Sequence, residues 1–274
     1  MDDQQFRQLL NQFRLSWDGY RKVRRGVKKR IGRHIQEIGC RTMQEYIFAL
    51  DQDKDARQHC ERLMTVSIGR FFRDRALWQT IENQLLPTII KENRKGVKVW
   101  SAGCACGEEV YTLKILWHAL SGRFQCLPEL EIWATDMNPA YLNKARAGIY
   151  PRSSLKEIPE EFRALYFKPG PREQTYAVAE RLKKGIKWRE YHLLLDPPVT
   201  NFQLVFLRNS LLTYYEDELK APAFQKVVDS LAQGGFLIIG SHEKIPSRAQ
   251  GLLPLGHHPC IFQKKTNNHS HGVR

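Results

Sequence analysis

Val97-Lys-Val-Trp-Ser-Ala-Gly-Cys-Ala-Cys-Gly-Glu-Glu-Val110 carries an apolar run straight into a bend of small residues and then into two acidic side chains. Gly103 and Gly107 permit positive φ and close approach to the backbone, and Ala105 and the two cysteines keep the bend thin. A helix opening at Glu108 turns its free amides toward whatever lies above it. The chemistry this suits is capture of a nucleoside that carries positive charge. A phosphate cradle would need the Lys-Ser/Thr ending of a P-loop, which is missing, and Glu108 with Glu109 would repel a pyrophosphate. S-adenosylmethionine, with its sulfonium and α-ammonium, has the matching sign. A glycine bend alone serves tight packing as well as nucleotide binding, so the reading depends on its neighbours.

Those neighbours are strands and helices in alternation. A helix with Leu113, Leu116, Trp117 and Leu120 on its apolar stripe leads to a second strand, Leu130-Glu-Ile-Trp-Ala-Thr-Asp136. Asp136, at the end of that strand, is placed either to accept both ribose hydroxyls or to cap a helix beginning near Pro139. Phe202 to Asn209 reads as a buried strand that delivers Arg208 and Asn209 to its carboxyl edge, where open α/β sheets put their ligands. Gln233 to Gly240 reads as a glycine turn and a further strand. The order predicts an α/β fold with a Rossmann-like, doubly wound, mostly parallel sheet.

The chain has 274 residues, 42% of them hydrophobic, enough for one large domain and a small one. No signal peptide or membrane span is read, and six cysteines without a framework spacing point to a reducing compartment, so the expected location is the cytoplasm. Cys104 and Cys106 have no second Cys/His pair at matching spacing, and no metal site is expected. The net charge of +14 is concentrated between Arg21 and Arg33, which hold eight basic residues and no acidic one. Val23, Val27, Ile31, Ile35 and Ile38 recur there at helical spacing, so residues 21–38 read as an amphipathic helix with a basic face. Such a face is either merely solvated or meets an acidic partner, a protein or a nucleic acid.

Residues 1–62 read as an all-α N-terminal domain: a helix near Phe6 to Leu15, the basic helix, and a third near Met43 to Leu50 followed by a turn at Asp51 to Asp55. Residues 63–75 read as a linker that contributes to the cofactor site, and residues 76–265 as the α/β cofactor-binding domain, opening with a helix at Ala76 to Leu86. Within it, Glu160 to Phe167 is a short helix. Thr175 to Leu182, Lys183-Lys-Gly and Ile186 to Tyr191 form strand, turn and strand, an antiparallel β subdomain inserted at about 165–190. Residues 266–274 are expected to be a disordered tail.

In this order the basic helical module, Ser67-Ile-Gly-Arg-Phe-Phe-Arg73, Ser101-Ala-Gly-Cys-Ala-Cys-Gly-Glu-Glu109, Ala134-Thr-Asp136, the inserted small sheet, Leu207-Arg-Asn209 and the final Gly-Gly strand resemble the CheR family of chemoreceptor glutamate methyltransferases. The resemblance runs from about residue 15 to 263. It implies a γ-glutamyl methyl ester made on an acidic receptor helix, S-adenosylmethionine as methyl donor, and contact of the inserted sheet with the receptor or its tethering peptide. By the same resemblance Ser67, Gly69 and Arg73 lie at the methionine end of the cofactor, with Glu108 near its ammonium and Gly103 in the bend beneath. Asp136 and Met137 lie at the ribose, His192 and Leu193 at the adenine, and Arg208 and Asn209 on the inner wall. The family more often has Asn or Asp at 67, Thr at 69, Asn or Asp at 192 and Tyr at 213, where this chain has Ser67, Gly69, His192 and Thr213 followed by Tyr214 and Tyr215.

A glutamate carboxylate has a reference pKa of about 4.3, so it is already an ionised nucleophile at neutral pH and needs alignment rather than a base. Arg73 and Tyr214 are the candidate catalytic residues. Arg73 either holds the substrate carboxylate or forms a salt bridge to the cofactor carboxylate or an acidic side chain, and Tyr214 either hydrogen-bonds the substrate or packs. The basic helix 21–38 would steer an acidic helical protein, and a monomer is expected. Nucleic acid is disfavoured, because Asp196-Pro-Pro198 precedes the strand whose carboxyl edge an amino-methylating motif would follow. A small carboxylic acid as substrate, or a cofactor-binding regulator without transfer, remain as alternatives.

Overall fold

Asp2 begins the chain's first helix by a reciprocal cap, its carboxylate accepting the Gln5 N–H at 2.8 Å while Gln5 Oε1 accepts the Asp2 N–H at 2.9 Å. Residues 1–67, 69–256 and 258–266 are described by a computed structural model, and of the tail 266–274 all but the first residue lie outside the described residues. Helices α1 (Asp3–Gln12), α2 (Trp17–Tyr20), α3 (Arg24–Ile38), α4 (Met43–Gln52) and α5 (Lys54–Met64) form the amino-terminal part. They bury Phe6, Leu9, Val27, Ile31, Tyr46 and Cys60 in a cluster of their own. The turn expected at Asp51 to Asp55 is a helix boundary instead. Asp53 accepts the N–H groups of Asp55 and Ala56 and opens α5, which sequence periodicity did not reveal.

The basic face of α3 divides in two. Arg25, Lys29 and Arg33 are exposed, as are Arg21 and Lys22 in the turn that precedes the helix, while Arg24 and Lys28 pair with Asp3. Arg30 donates to the carbonyls of Leu63 and Thr65, both at 2.8 Å, so one basic side chain fixes the end of α5 rather than facing solvent.

From Thr65 to Asp74 the described residues form neither helix nor strand. Helix α6 (Arg75–Thr80) then continues through a π turn at Ile81–Leu85 into α7 (Leu86–Glu92), longer than the 76–86 helix expected. Strand β1 (Val97–Ala102), helix α8 (Glu108–Ala119), β2 (Leu130–Asp136) and α9 (Pro139–Ala147) follow. Next come β3 (Ile149–Pro151), α10 (Glu160–Tyr166), β4 (Phe167–Pro169), β5 (Thr175–Val178), α11 (Glu180–Lys183) and β6 (Ile186–Glu190). The remaining elements are β7 (Phe202–Leu207), α12 (Leu211–Tyr214), α13 (Asp217–Ser230), β8 (Leu231–Ile239), β9 (Leu252–Pro254) and β10 (Ile261–Lys264).

Seven strands form the main sheet in the order β6-β2-β1-β7-β8-β10-β9. Pairings from β6 to β8 are parallel, and β10 and β9 are antiparallel. The chain leaves β1 toward β2 and β6 on one side and later returns to β7 and β8 on the other, so the sheet divides between β1 and β7, where a crevice opens at the carboxyl ends. Trp100, Val99, Val205 and Phe206 are fully or nearly fully buried, as both-sided coverage by helices requires.

Two expectations fail here. Ile186 to Tyr191 does not pair with Thr175 to Leu182 as a hairpin. β6 runs parallel to β2, with Ile132 opposite Ile186, and β5 is the centre of a separate three-stranded antiparallel sheet, β3-β5-β4. The intervening α11 turns the chain through the crossover that a parallel strand needs. The small sheet therefore comes from residues 149–178 and not from 165–190. Gln233-Gly-Gly is likewise not a turn before a strand but an irregularity within β8, where pairing jumps from Leu231 to Phe236 as the partner advances from Phe202 to Leu204 and Gly234 takes φ +71°. Among the described residues no helix is long and apolar enough to cross a membrane.

Candidate active site

The bend after β1 is held to the end of β2. The N–H groups of Gly103 and Cys104 both donate to the Thr135 carbonyl, at 2.9 and 2.8 Å. Gly103, Ala105 and Gly107 have φ of +85°, +47° and +89°. A Cβ at Gly103 would lie 2.9 Å from that of Ser210, so the bend can approach the β7 edge only because this residue has no side chain. Ala105 holds a left-handed conformation unusual for its type, and its N–H donates to Asp136 Oδ2 at 2.9 Å. The other oxygen of Asp136 accepts the Asn138 N–H at 2.9 Å, and Asn138, not Asp136, caps α9.

Two clefts meet above this bend, along Val66, Gly103, Ala105 and Asn209. The larger encloses about 790 Å³ and is lined by Asp136, Met137, Leu193, Asn209 and Tyr214 of the expected residues. The other encloses about 570 Å³ and is lined by Gly69, Arg73, Glu108, Arg208 and Asn209. Sequence-distant groups are thus assembled on one crevice. Ser67 and His192 lie beside it without lining it. Ser67 Oγ faces Cys106 Sγ at 3.5 Å. His192 Nδ1 accepts the Leu194 N–H at 3.2 Å, Nε2 lies 3.4 Å from the Tyr215 hydroxyl, and burial lowers its pKa. Asp196 of Asp196-Pro-Pro198 pairs with Lys226 at 2.9 Å and lines neither cleft.

Gly69 lies directly on Glu108, whose carboxylate fills the place a Cβ would take. Glu109 is engaged otherwise. It accepts Ser101 Oγ at 2.8 Å and Arg208 Nη1 at 3.2 Å, and Arg208 Nη2 also pairs with Asp74. Arg208, whose side chain is 5% exposed, thereby locks the edge of β7 to the start of α8 and to the residue after Arg73. Asp74 was not singled out from sequence, although an acidic residue following Phe-Phe-Arg was visible. Glu243 was missed too. It accepts the N–H groups of Asn209 (2.9 Å) and Gly240 (2.7 Å) and the Thr213 hydroxyl (2.6 Å), which joins the β7 and β8 edges, and its place just past a strand's carboxyl end was the available signal. Tyr214 packs its ring 4.9 Å from that of Tyr20, and burial pushes its pKa up to about 12.

Burial raises the carboxyls of Glu108 and Glu109, and that of Asp136 to about 6. Lys144 and Arg208, respectively, oppose the shift at the two glutamates, and the two backbone donors oppose it at Asp136. Each carboxylate would gain from a donor or a cation arriving in the crevice. Trp78 Nε1 and Arg208 Nε are buried without a partner among the described residues, and both side chains line the smaller cleft. Orphan donors call for an acceptor. S-adenosylmethionine supplies the complementary set, namely a carboxylate for the donors, an ammonium and sulfonium for the acidic bend, and a diol for Asp136. The residues present fit it.

Comparison with known proteins agrees. The model of the CheR methyltransferase SAM-binding domain matches residues 68–258. The chemotaxis protein methyltransferase of Listeria innocua serovar 6a is 34% identical over 231 residues, which cover 84% of this chain and 85% of that protein. Its Listeria monocytogenes serovar 1/2a counterpart is 34% identical over 230 residues, with the same coverage. The Borreliella burgdorferi protein of the same name is 26% identical over 227 residues, 80% of each chain. With its crevice, its acidic bend and this match over most of its length, the chain belongs to the CheR methyltransferase family and is an S-adenosylmethionine-dependent methyltransferase.

Proposed function

We propose that the protein forms methyl esters on glutamate side chains of an acidic, helical, chemoreceptor-like protein, acting as a monomer in the cytoplasm. The observation that carries this reading is the composition of the crevice: among the described residues neither cleft is lined by a histidine or a lysine, and of the carboxylates that line them Glu109 is paired with Arg208 and Asp136 holds the Ala105 and Asn138 N–H groups. A hydroxyl or ammonium acceptor would need a group to take its proton, whereas a glutamate carboxylate arrives ionised. When bound, the cofactor supplies an electrophilic methyl group. Arg73 holds the incoming carboxylate by a charge-assisted pair, Tyr214 orients it from the opposite cleft as a phenol, and the two clefts close around the reacting atoms to exclude water. Arg208, fixed between Glu109 and Asp74, keeps the inner wall rigid rather than meeting substrate.

The names of the relatives support a chemoreceptor substrate. The three exposed basic residues of α3, with Arg21 and Lys22 in the turn before it, supply a face that would steer an acidic helix. The small sheet, with β3 and β4 as its edges, offers a place for a tethering peptide to add as a strand. The test is transfer of labelled methyl from the cofactor to an acidic receptor-like helical protein, with the modified side chain located by mass spectrometry. Label released as methanol by mild base is expected. Stable label on nucleic acid or on nitrogen would overturn the reading.

A further inference from the structure

We propose that Glu61, carried on the amino-terminal helices, accepts a hydrogen bond from the exocyclic amino group of the cofactor's adenine and so makes the site selective for an aminopurine. The inference rests on the cofactor occupying the joined clefts. Glu61 stands in α5, three residues before that helix ends, and lines only the larger cleft, away from Arg73 and Glu108. Asp136 lines the larger cleft and holds Ala105, one of the residues along which the two wings meet, so it marks the ribose position near their junction. A nucleoside whose charged amino-acid end enters the wing of Arg73 and Glu108 must send its base into the other.

That other wing is a slot of apolar and aromatic surface, with Met64, Tyr191, Leu193 and Tyr215 among its walls. Four of its tyrosine hydroxyls are already engaged, those of Tyr20 and Tyr141 by the Met64 and Thr65 carbonyls. Tyr191 donates to the Leu195 and Asp196 carbonyls, and Tyr215 meets His192. Among the described residues, Glu61 and Asp136 are the only carboxylates that line it. Both arginines near Glu61 have partners elsewhere, Arg57 on Asp51 at 3.0 Å and Arg62 on Glu190 at 2.9 Å. Among the described residues no hydrogen bond or ion pair holds the Glu61 carboxylate, although burial raises its pKa. A half-buried acceptor on the wall of a mainly apolar and aromatic cleft suits a planar ring with an amino group at its rim. It would reject an inosine ring, whose carbonyl oxygen at that rim is itself an acceptor.

The test compares S-adenosylhomocysteine with its inosine counterpart by calorimetry on the full chain. Wild-type protein should prefer the adenosyl ligand by at least about thirtyfold, because a polar mismatch in a buried site is costly. Glu61→Ala should reduce that preference to less than about fivefold, mainly by weakening the adenosyl ligand. Glu61→Gln can donate to the inosine carbonyl through its amide, so it should bind the inosine ligand at least about fivefold more tightly than wild type does. Misfolding cannot produce that gain. A preference unchanged by both substitutions, or an equal weakening of both ligands, overturns the role of Glu61. Failure of wild-type protein to bind either ligand would instead remove the cofactor assignment on which it rests.

Discussion

Asp136 accepts the N–H of Ala105 at 2.9 Å, so a carboxylate at the end of β2 holds the non-glycine residue of the β1 bend in its left-handed conformation. The bend and the acid at the end of β2 are therefore one unit, and the protonation state of Asp136 affects both.

Burial sets the Asp136 pKa at about 6, above its ordinary value of 3.8. The folded state consequently binds a proton that the unfolded chain has released between those two values. This group's contribution to stability is fully present below pH 3.8 and is lost as the pH rises through about 6. Cofactor binding, which needs the ionised acceptor, should run the other way and weaken about tenfold per pH unit below 6. Calorimetric titration of S-adenosylhomocysteine from pH 5 to 8 tests the second trend, which Asp136→Asn should flatten.

Arg208 is expected to be structural. Replacing it with Met leaves Glu109 buried beside Ser101 without its cation, at a cost of roughly 3–5 kcal/mol in stability. Urea unfolding measures this, and adding Glu109→Gln should recover part of the loss. A change below about 1 kcal/mol would deny the lock its importance.

Gly69 leaves no room for a side chain over Glu108. Gly69→Ala should push the carboxylate aside, and because Glu108 is the flexible partner, stability should change by only about 1 kcal/mol. Cofactor affinity should drop by about tenfold or more, as expected when a charged contact at the ammonium is lost. Unaltered affinity would place Glu108 away from the ligand.

Arg73→Ala separates orientation from retention. If Arg73 holds the substrate carboxylate, kcat should fall by about two orders of magnitude while S-adenosylhomocysteine affinity changes by less than about threefold. Equal losses would reassign Arg73 to the cofactor.

On α3, Arg25→Glu with Lys29→Glu should lower kcat/KM for an acidic protein substrate and flatten its dependence on salt, with unfolding unaffected. Arg30→Ala should instead destabilise by about 1–3 kcal/mol, since Arg30 holds two carbonyls at the end of α5. Stopped-flow association at several ionic strengths, beside thermal unfolding, distinguishes the two effects.

Much of the architecture was legible because it is written in local periodicity. The runs 97–102, 130–136 and 202–207 are apolar strands of ordinary length, and the glycine bend and Asp136 occupy ends that a parallel sheet must bring together. Helix α5 was not legible. Its apolar residues Ala56, Cys60, Leu63 and Met64 do recur at helical spacing, but they are few among polar neighbours, and the cap at Asp53 looks like any acidic turn.

By itself, the order of residues determined the strand-bend-helix unit, the acidic sign of the crevice and the basic helix, since each depends on neighbours within a few positions. Only tertiary structure decided which β-rich segment joined which sheet. The partner of β6 is fixed by a crossover and by β2, not by the Lys-Lys-Gly that precedes it. Only tertiary structure, too, separated the exposed arginines of α3 from Arg30, tied Arg208 to Glu109 and Asp74, and brought Glu61 within reach of the site of Asp136. Those are contacts across dozens of residues, and no spacing in the chain encodes a distance between groups that folding alone brings together.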